Sequence, residues 1–228
     1  MSKKKQEEHD SGFETVEQVL SKSEQYIEEN KKSLSIIVAA IIVVVGGYLL
    51  YTKMILTPKE NEAQSQMFRA EQYFERDSLQ LALEGDGDAL GFIDIIDDYS
   101  MTDAANLAQY YSGICYLRLG EFENAIEHLK KFDSNDKLIS VIALGALGDA
   151  NVELGNYKEA ISFYTKASSK NKNSFTSAIY LKKLGLTYEA VDDYKKAINA
   201  YEKIKHEYPD SDEARDIDKY IEAAKIKA

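Results

Sequence analysis

Tryptophan is absent from this chain, and its 228 residues include one cysteine and two prolines. The lone Cys115 excludes an internal disulfide and any multi-cysteine metal site. With Pro58 and Pro209 the sole prolines, and with Ala, Leu, Glu and Lys abundant, the composition favours a mostly α-helical chain. Positive charge is also short: 28 Lys and Arg stand against 39 Asp and Glu, a formal net charge of -11. Residues 57–228 hold 21 of the cationic and 31 of the acidic side chains, so the C-terminal part carries -10. An acidic body repels phosphates, which argues against nucleic-acid binding. His9, His128 and His206 fall in unrelated segments without metal-ligand spacing. His128, among Glu127, Lys130 and Lys131, reads as solvent-exposed. Cys115 precedes Tyr116 where a small buried residue is expected, and no base is recognisable near it. There is no phosphate-binding glycine loop. No catalytic residue, cofactor, metal or small-molecule substrate is expected.

What the chain does have is one dense apolar run. Leu34–Leu56 reads LSIIVAAIIVVVGGYLLYTKMIL, with no charged residue from Leu34 to Tyr51. About 20 such residues cross a bilayer as a helix. Lys31 and Lys32 bound the run on one side, Lys53 and Lys59 on the other; Tyr48 and Tyr51 suit the interface, and Lys53 can snorkel. The polar stretch before it and the missing small-residue cleavage site argue against a signal peptide. Residues 34–56 are therefore expected to span a lipid bilayer. The flanking charges are nearly balanced: Lys22, Lys31 and Lys32 precede the run, and Lys53, Lys59, Arg69 and Arg76 follow it. A short tail before a first span usually stays inside, so the N-terminus is expected in the cytoplasm with the larger domain exported. Within the tail, residues 1–33, Phe13, Val16, Val19, Leu20, Tyr26 and Ile27 recur at helical steps among glutamates. That predicts an amphipathic helix suited to a protein partner or to continuing the span.

After the run, Thr57-Pro58-Lys59-Glu60 predicts a new helix, with Thr57 as cap, Pro58 in the first turn and Glu60 completing a capping box. Residues 57–105 read as a divergent helical hairpin: Glu62–Leu83, a turn at Gly85–Asp88, then Ala89–Tyr99. Beyond it the sequence repeats itself. A segment containing Gly113, Tyr116, Gly120, Phe122, Ala125, Leu129 and Phe132 lines up with one containing Leu147, Gly148, Gly155, Tyr157, Ala160, Tyr164 and Ala167. A third segment, containing Leu184, Gly185, Tyr188, Tyr194, Ala197, Tyr201 and Pro209, lines up with both. Gly113 and Gly148 are 35 residues apart and Gly148 and Gly185 are 37. The small positions permit close helix approach and the aromatic ones fill the gaps. This pattern resembles the tetratricopeptide repeat, a helix–turn–helix unit of about 34 residues. It departs from that pattern where Asn151 replaces an aromatic and Asp192 a turn glycine. The resemblance implies an all-α fold. After the amphipathic helix and single transmembrane helix comes an α-solenoid of three repeats over 106–211, and a capping helix over 212–228 closes it.

The Asp86–Asp97 stretch, DGDALGFIDIID, has the acidic spacing of a calcium loop in part. Leu90 occupies a ligand position, however, and Asp97 stands where a bidentate glutamate belongs. A turn followed by a helix with acidic first residues accounts for it as well.

Repeats of this kind bind peptides along their first helices. The resemblance places Leu107, Tyr110, Ile114, Leu117 and Arg118 in such a groove from the first repeat. Ile142, Gly145, Asp149, Val152 and Glu153 follow from the second, and Ile179, Lys182, Leu186 and Glu189 from the third. The groove reads as apolar at one end and acidic in the middle. Tyr110, Ile114 and Ala146 stand where a carboxylate clamp would need Lys and Asn. The order of parts resembles the YfgM-type ancillary subunits of the bacterial SecYEG translocon. That resemblance implies an inner-membrane protein with a periplasmic repeat domain. Its implied partners are the SecYEG channel subunits and a membrane-anchored prolyl-isomerase-like chaperone. Two alternatives stand beside it: a scaffold for another envelope assembly process, and a cytosol-facing docking receptor for targeted proteins.

Overall fold

The computed structural model describes the backbone from Lys3 and the side chains from Tyr26 onward. It is helical throughout, with no strand among the described residues. The chain divides into two compact units, residues 1–57 and 58–228.

In the first unit, helix α1 runs over Lys3–Tyr51 and passes into a π-turn at Thr52–Leu56. Its most apolar 18-residue window has a mean hydropathy of 2.6, and none of that window is buried. By length and composition, then, the described chain has one helix able to cross a membrane. The predicted amphipathic face over Phe13–Ile27 lies largely outside the described side chains; Tyr26 and Ile27 are exposed. Thr57 does not cap a new helix. Its backbone is itself helical (φ -62°, ψ -45°), and its hydroxyl donates to the Thr52 carbonyl at 2.9 Å.

The second unit begins with α2 (Thr57–Glu75), α3 (Leu79–Glu84) and α4 (Phe92–Asp98). Three helices thus replace the expected hairpin over 57–105. The break falls at Asp77, whose positive φ of 60° stops α2 at Glu75, about two turns before the predicted end at Leu83. Glu60 closes no capping box either. Its carboxylate reaches across to α5 (Asp103–Leu119) and accepts from the Asp103 and Ala104 N–H groups at 2.7 and 3.2 Å. Together with the Thr102 hydroxyl, which accepts from Ala105 N–H at 3.0 Å, it satisfies donors that the start of a helix leaves free. Ala63, Met67, Leu83, Phe92 and Ile95 bury their side chains in one cluster with Ala108 and Cys115 of α5.

Three helix pairs follow. They are α5 with α6 (Phe122–Lys131), α7 (Ile139–Glu153) with α8 (Tyr157–Lys170), and α9 (Thr176–Ala190) with α10 (Tyr194–Glu207). Each helix packs on the next, and α5, α7 and α9 touch in succession along one side. The turns inside the first two pairs need a left-handed residue, and glycine supplies it at Gly120 and Gly155 (φ 80° and 74°). Asp192 takes the same conformation in the third (φ 59°), which aspartate tolerates better than most side chains. Ala125, Ala160 and Ala197 are fully buried where the paired helices meet. Added methyl groups on Gly113, Gly148 and Gly185 would overlap Leu129, Tyr164 and Tyr201 respectively. The recurring glycine is therefore the seat of the large side chain from the second helix of its own pair. The chain ends in a short 3-10 turn (Asp212–Asp216) and α11 (Ile217–Lys227), whose Ile217, Ile221 and Ala224 cover the last pair.

Candidate protein-binding groove

Helices α5 and α7 bring five of the expected groove residues into one depression of about 540 Å³: Leu117, Arg118, Asp149, Val152 and Glu153. Gly120, Phe122, Tyr164 and Lys183 complete its lining. The other expected residues are spread out. Leu107 belongs to a separate hollow of about 310 Å³ with Glu60, Gln64 and Glu71 of α2. Tyr110 and Ile114 pack into the seam between the first two pairs, and Ile179 against the core of the last two. Ile142 is half-buried, and Leu186 is exposed. Gly145 lies under the Tyr180 ring and offers a ligand no surface.

The charges here are mostly matched. Lys183 donates to both Asp149 oxygens at 2.6 and 2.7 Å, and the Tyr164 hydroxyl donates to the same carboxylate at 2.6 Å. Burial, and then that bond to Asp149, pushes the Tyr164 phenol well above its ordinary range. Arg118 donates to Asp77 at 2.6 Å and lies over the Phe74 ring. Toward the C-terminal end, Lys182 pairs with Asp216 at 3.0 Å and sits 4.5 Å from the Tyr220 centroid. Glu189 accepts from the Tyr201 hydroxyl at 2.7 Å. Glu153 is in no ion pair among the described residues. The acidic middle read from the sequence therefore narrows to Glu153, because Asp149 is already neutralised. Lys183 was not expected here, and Tyr164 was expected only as a gap-filling aromatic of the second repeat. Lys183 lies 34 residues beyond Asp149, one repeat on. Stacked repeats bring such positions side by side, so the spacing was a usable signal.

Two other expectations resolve locally. His128 is half-buried rather than freely solvent-exposed: its ring stacks on Tyr116 at 5.2 Å and its Nδ1 is 2.8 Å from the Gln109 amide oxygen. Burial, and then Lys131, holds its imidazole below the ordinary value. In the Asp86–Asp97 stretch, the Asp86 carboxylate accepts from Asp88 and Ala89 N–H at 3.0 and 2.8 Å and from the Tyr73 hydroxyl. Asp94 meanwhile accepts from Gly91 N–H at the start of α4. These carboxylates serve as turn and helix caps, and no acidic cluster of metal-binding geometry occurs among the described residues. Cys115 is fully buried, and burial pushes its thiol up to about 12. It holds no thiolate at neutral pH.

Comparison with known proteins follows the same seams. Residues 107–136, 142–173 and 183–211 match family models of the tetratricopeptide repeat. The chain carries tetratricopeptide repeats. A TPR repeat-containing protein of Methanocaldococcus jannaschii is 33% identical over 104 residues, which covers 44% of this chain and 17% of that protein. The chain thus spans about a sixth of the length of this curated relative. Two crystal structures of MamA share 24% identity. One has a TM-score of 0.54 and covers 72% of this chain and 91% of its own; the other has 0.51, with 69% and 93%. The repeats of a Podosopora anserina putative kinesin light chain give a TM-score of 0.56 at 14% identity, covering 73% of this chain and 86% of that one. At such identities the likeness is one of fold. The tetratricopeptide repeat is a scaffold for protein–protein interaction, and the matched segments contain the helices that form the depression.

Proposed function

We propose that this protein is a membrane-anchored scaffold that holds partner proteins in the groove formed by α5, α7 and α9. The observation that carries the proposal is the depression at Leu117, Val152 and Glu153, open and part apolar, with one uncompensated carboxylate. It has the character of a seat for an extended peptide segment, and nothing in it resembles a reaction centre. Val152 and Leu117 offer apolar surface, and Glu153 favours a ligand carrying a lysine or arginine. Of the remaining expected residues, Leu186 and the part-exposed Ile142, Lys182 and Glu189 continue this side of the first helices, whereas Leu107 lies in its own hollow and Tyr110, Ile114 and Ile179 pack between helices.

Residues 34–56 serve as the anchor in this reading. The support is an apolar surface, uncharged from Leu34 to Tyr51, none of which is buried in its most apolar window, and which water would penalise heavily. The tail lies in the cytoplasm and the repeats in the periplasm of a bacterial inner membrane. The order of parts supports an ancillary role at the SecYEG channel, where the repeats would hold a membrane-anchored prolyl-isomerase-like chaperone close to emerging chains. The test is purification from membranes in mild detergent with mass spectrometry, alongside protease accessibility of the repeats in sealed cells. Channel subunits are expected in the purified material and the repeats should resist protease added to intact cells. A preparation rich in other envelope proteins and free of channel subunits would move the scaffold to another assembly process. Repeats protected inside sealed inverted vesicles would agree with export; repeats digested there would reverse the orientation.

A further inference from the structure

The first repeat differs from the second in one consequential way. Its second helix, α6, has 10 residues, whereas α8 has 14. Where α6 stops a turn early, a crevice of about 280 Å³ opens at the junction of α6, α7 and α8. Leu129, Ala143, Leu147 and Phe163 form its apolar lining. The α7 residues here are Ser140, Ala143, Leu144 and Leu147, whereas Asp149, Val152 and Glu153 line the groove. At roughly 100° per residue the two sets point to opposite faces of the helix. The crevice is therefore a second surface, independent of the groove.

Ser140 marks it. The residue is 5% exposed, and its Oγ is buried with no hydrogen-bond partner among the described residues. The chain contains its own control, because Ser177 occupies the matching place 37 residues on, the spacing of Gly148 and Gly185. Ser177 is also buried, but its Oγ accepts from Asn173 N–H at 3.2 Å and donates to the Asn171 carbonyl at 3.4 Å. The loop before α9 thus satisfies its serine, whereas the Phe132–Leu138 connection before α7 makes no such bond. A buried hydroxyl left unpaired is costly, and because Ser140 belongs to the crevice wall, rotation about its Cα–Cβ bond is what would bring Oγ to an incoming group.

Charge identifies the guest. On a body that carries -10, Lys130 and Lys170 line this opening and are in no ion pair among the described residues, and Lys166 sits 5.5 Å over the Phe163 ring nearby. One carboxylate, Asp133, shares the rim. We infer that this crevice docks an acidic segment of a partner protein, seating one apolar side chain over Ala143 and Leu147 while a polar group of that segment pairs with Ser140 Oγ. The lysines attract the acidic flanks.

The experiment uses the full chain in detergent and fluorescein-labelled, end-blocked peptides that hold one leucine between pairs of glutamates or, as control, pairs of glutamines. Anisotropy should show the glutamate peptide binding and the glutamine peptide binding about tenfold more weakly. Lys130→Glu with Lys170→Glu, both on exposed positions, should abolish the difference, and Ala143→Met should block binding by filling the floor. Val152→Asp in the groove should leave it unchanged, which separates this site from the groove's own ligand. Equal binding of the two peptides, or binding of neither, overturns the inference. So does equal competition by a single-stranded oligonucleotide of matched charge, or self-association of the chain that the lysine reversals abolish.

Discussion

Single residues decide how closely the helices meet. The ring of Tyr164 occupies the space a side chain at Gly148 would need, so Gly148→Ala must push that ring and its bond to Asp149 aside. Overpacking of this kind costs about 1–3 kcal/mol, and a denaturant titration should show the midpoint falling with an unchanged slope. His128 gives a second prediction. Its folded-state value lies below its unfolded one, so the unfolded chain takes up a proton that the folded chain refuses. The contribution is present above about pH 6.5 and is lost as the pH falls below it. Between about pH 7 and 5 the wild-type thermal midpoint should therefore drop further than that of His128→Gln; equal drops would contradict the assignment. Such residues were partly legible. The spacing of Gly148 and Tyr164 announced a close approach, whereas the burial of His128 depends on Tyr116 and Gln109 one helix away, which its charged sequence neighbours hide.

Elements were legible wherever the repeat imposed them and illegible where it lapsed. The paired helices, their glycine turns and the final cap follow from the recurring small and aromatic positions. Before the repeats no period existed to read, and a single positive φ at Asp77 split one expected helix in two. Glu60 shows the same limit. Spacing along the chain suggested a local box, but the nearest unsatisfied donors in space belong to α5, 43 residues later. The cap α11 carries its own prediction. Ile221 is 4% exposed against the last pair, and Ile221→Asp would replace that burial with a desolvated carboxylate. A loss of about 3 kcal/mol or more is expected, read as a lower thermal midpoint by circular dichroism. A change within experimental error would mean that α11 is dispensable to the stack.

At the scale of the molecule there are three parts: a long apolar helix, a run of helix pairs, and outward-facing side chains on those pairs, the proposed binding surface. The order of parts and the repeat class were visible in the amino-acid pattern, because hydrophobic period and small-residue spacing are one-dimensional signals. The composition of the groove was visible only in part, because Lys183 neutralises Asp149 across neighbouring repeats and so moves the uncompensated charge to Glu153. The claim on which all of this depends is that partner proteins occupy the α5–α7 depression. Site-specific photo-crosslinking in living cells tests it most directly, with the reactive group at Val152 in one strain and at the exposed Lys203 of α10 in another. The account predicts discrete protein adducts from position 152, absent from position 203 and lost when Glu153→Lys is added. Equal yields from the two positions, or no adduct from position 152, would contradict it.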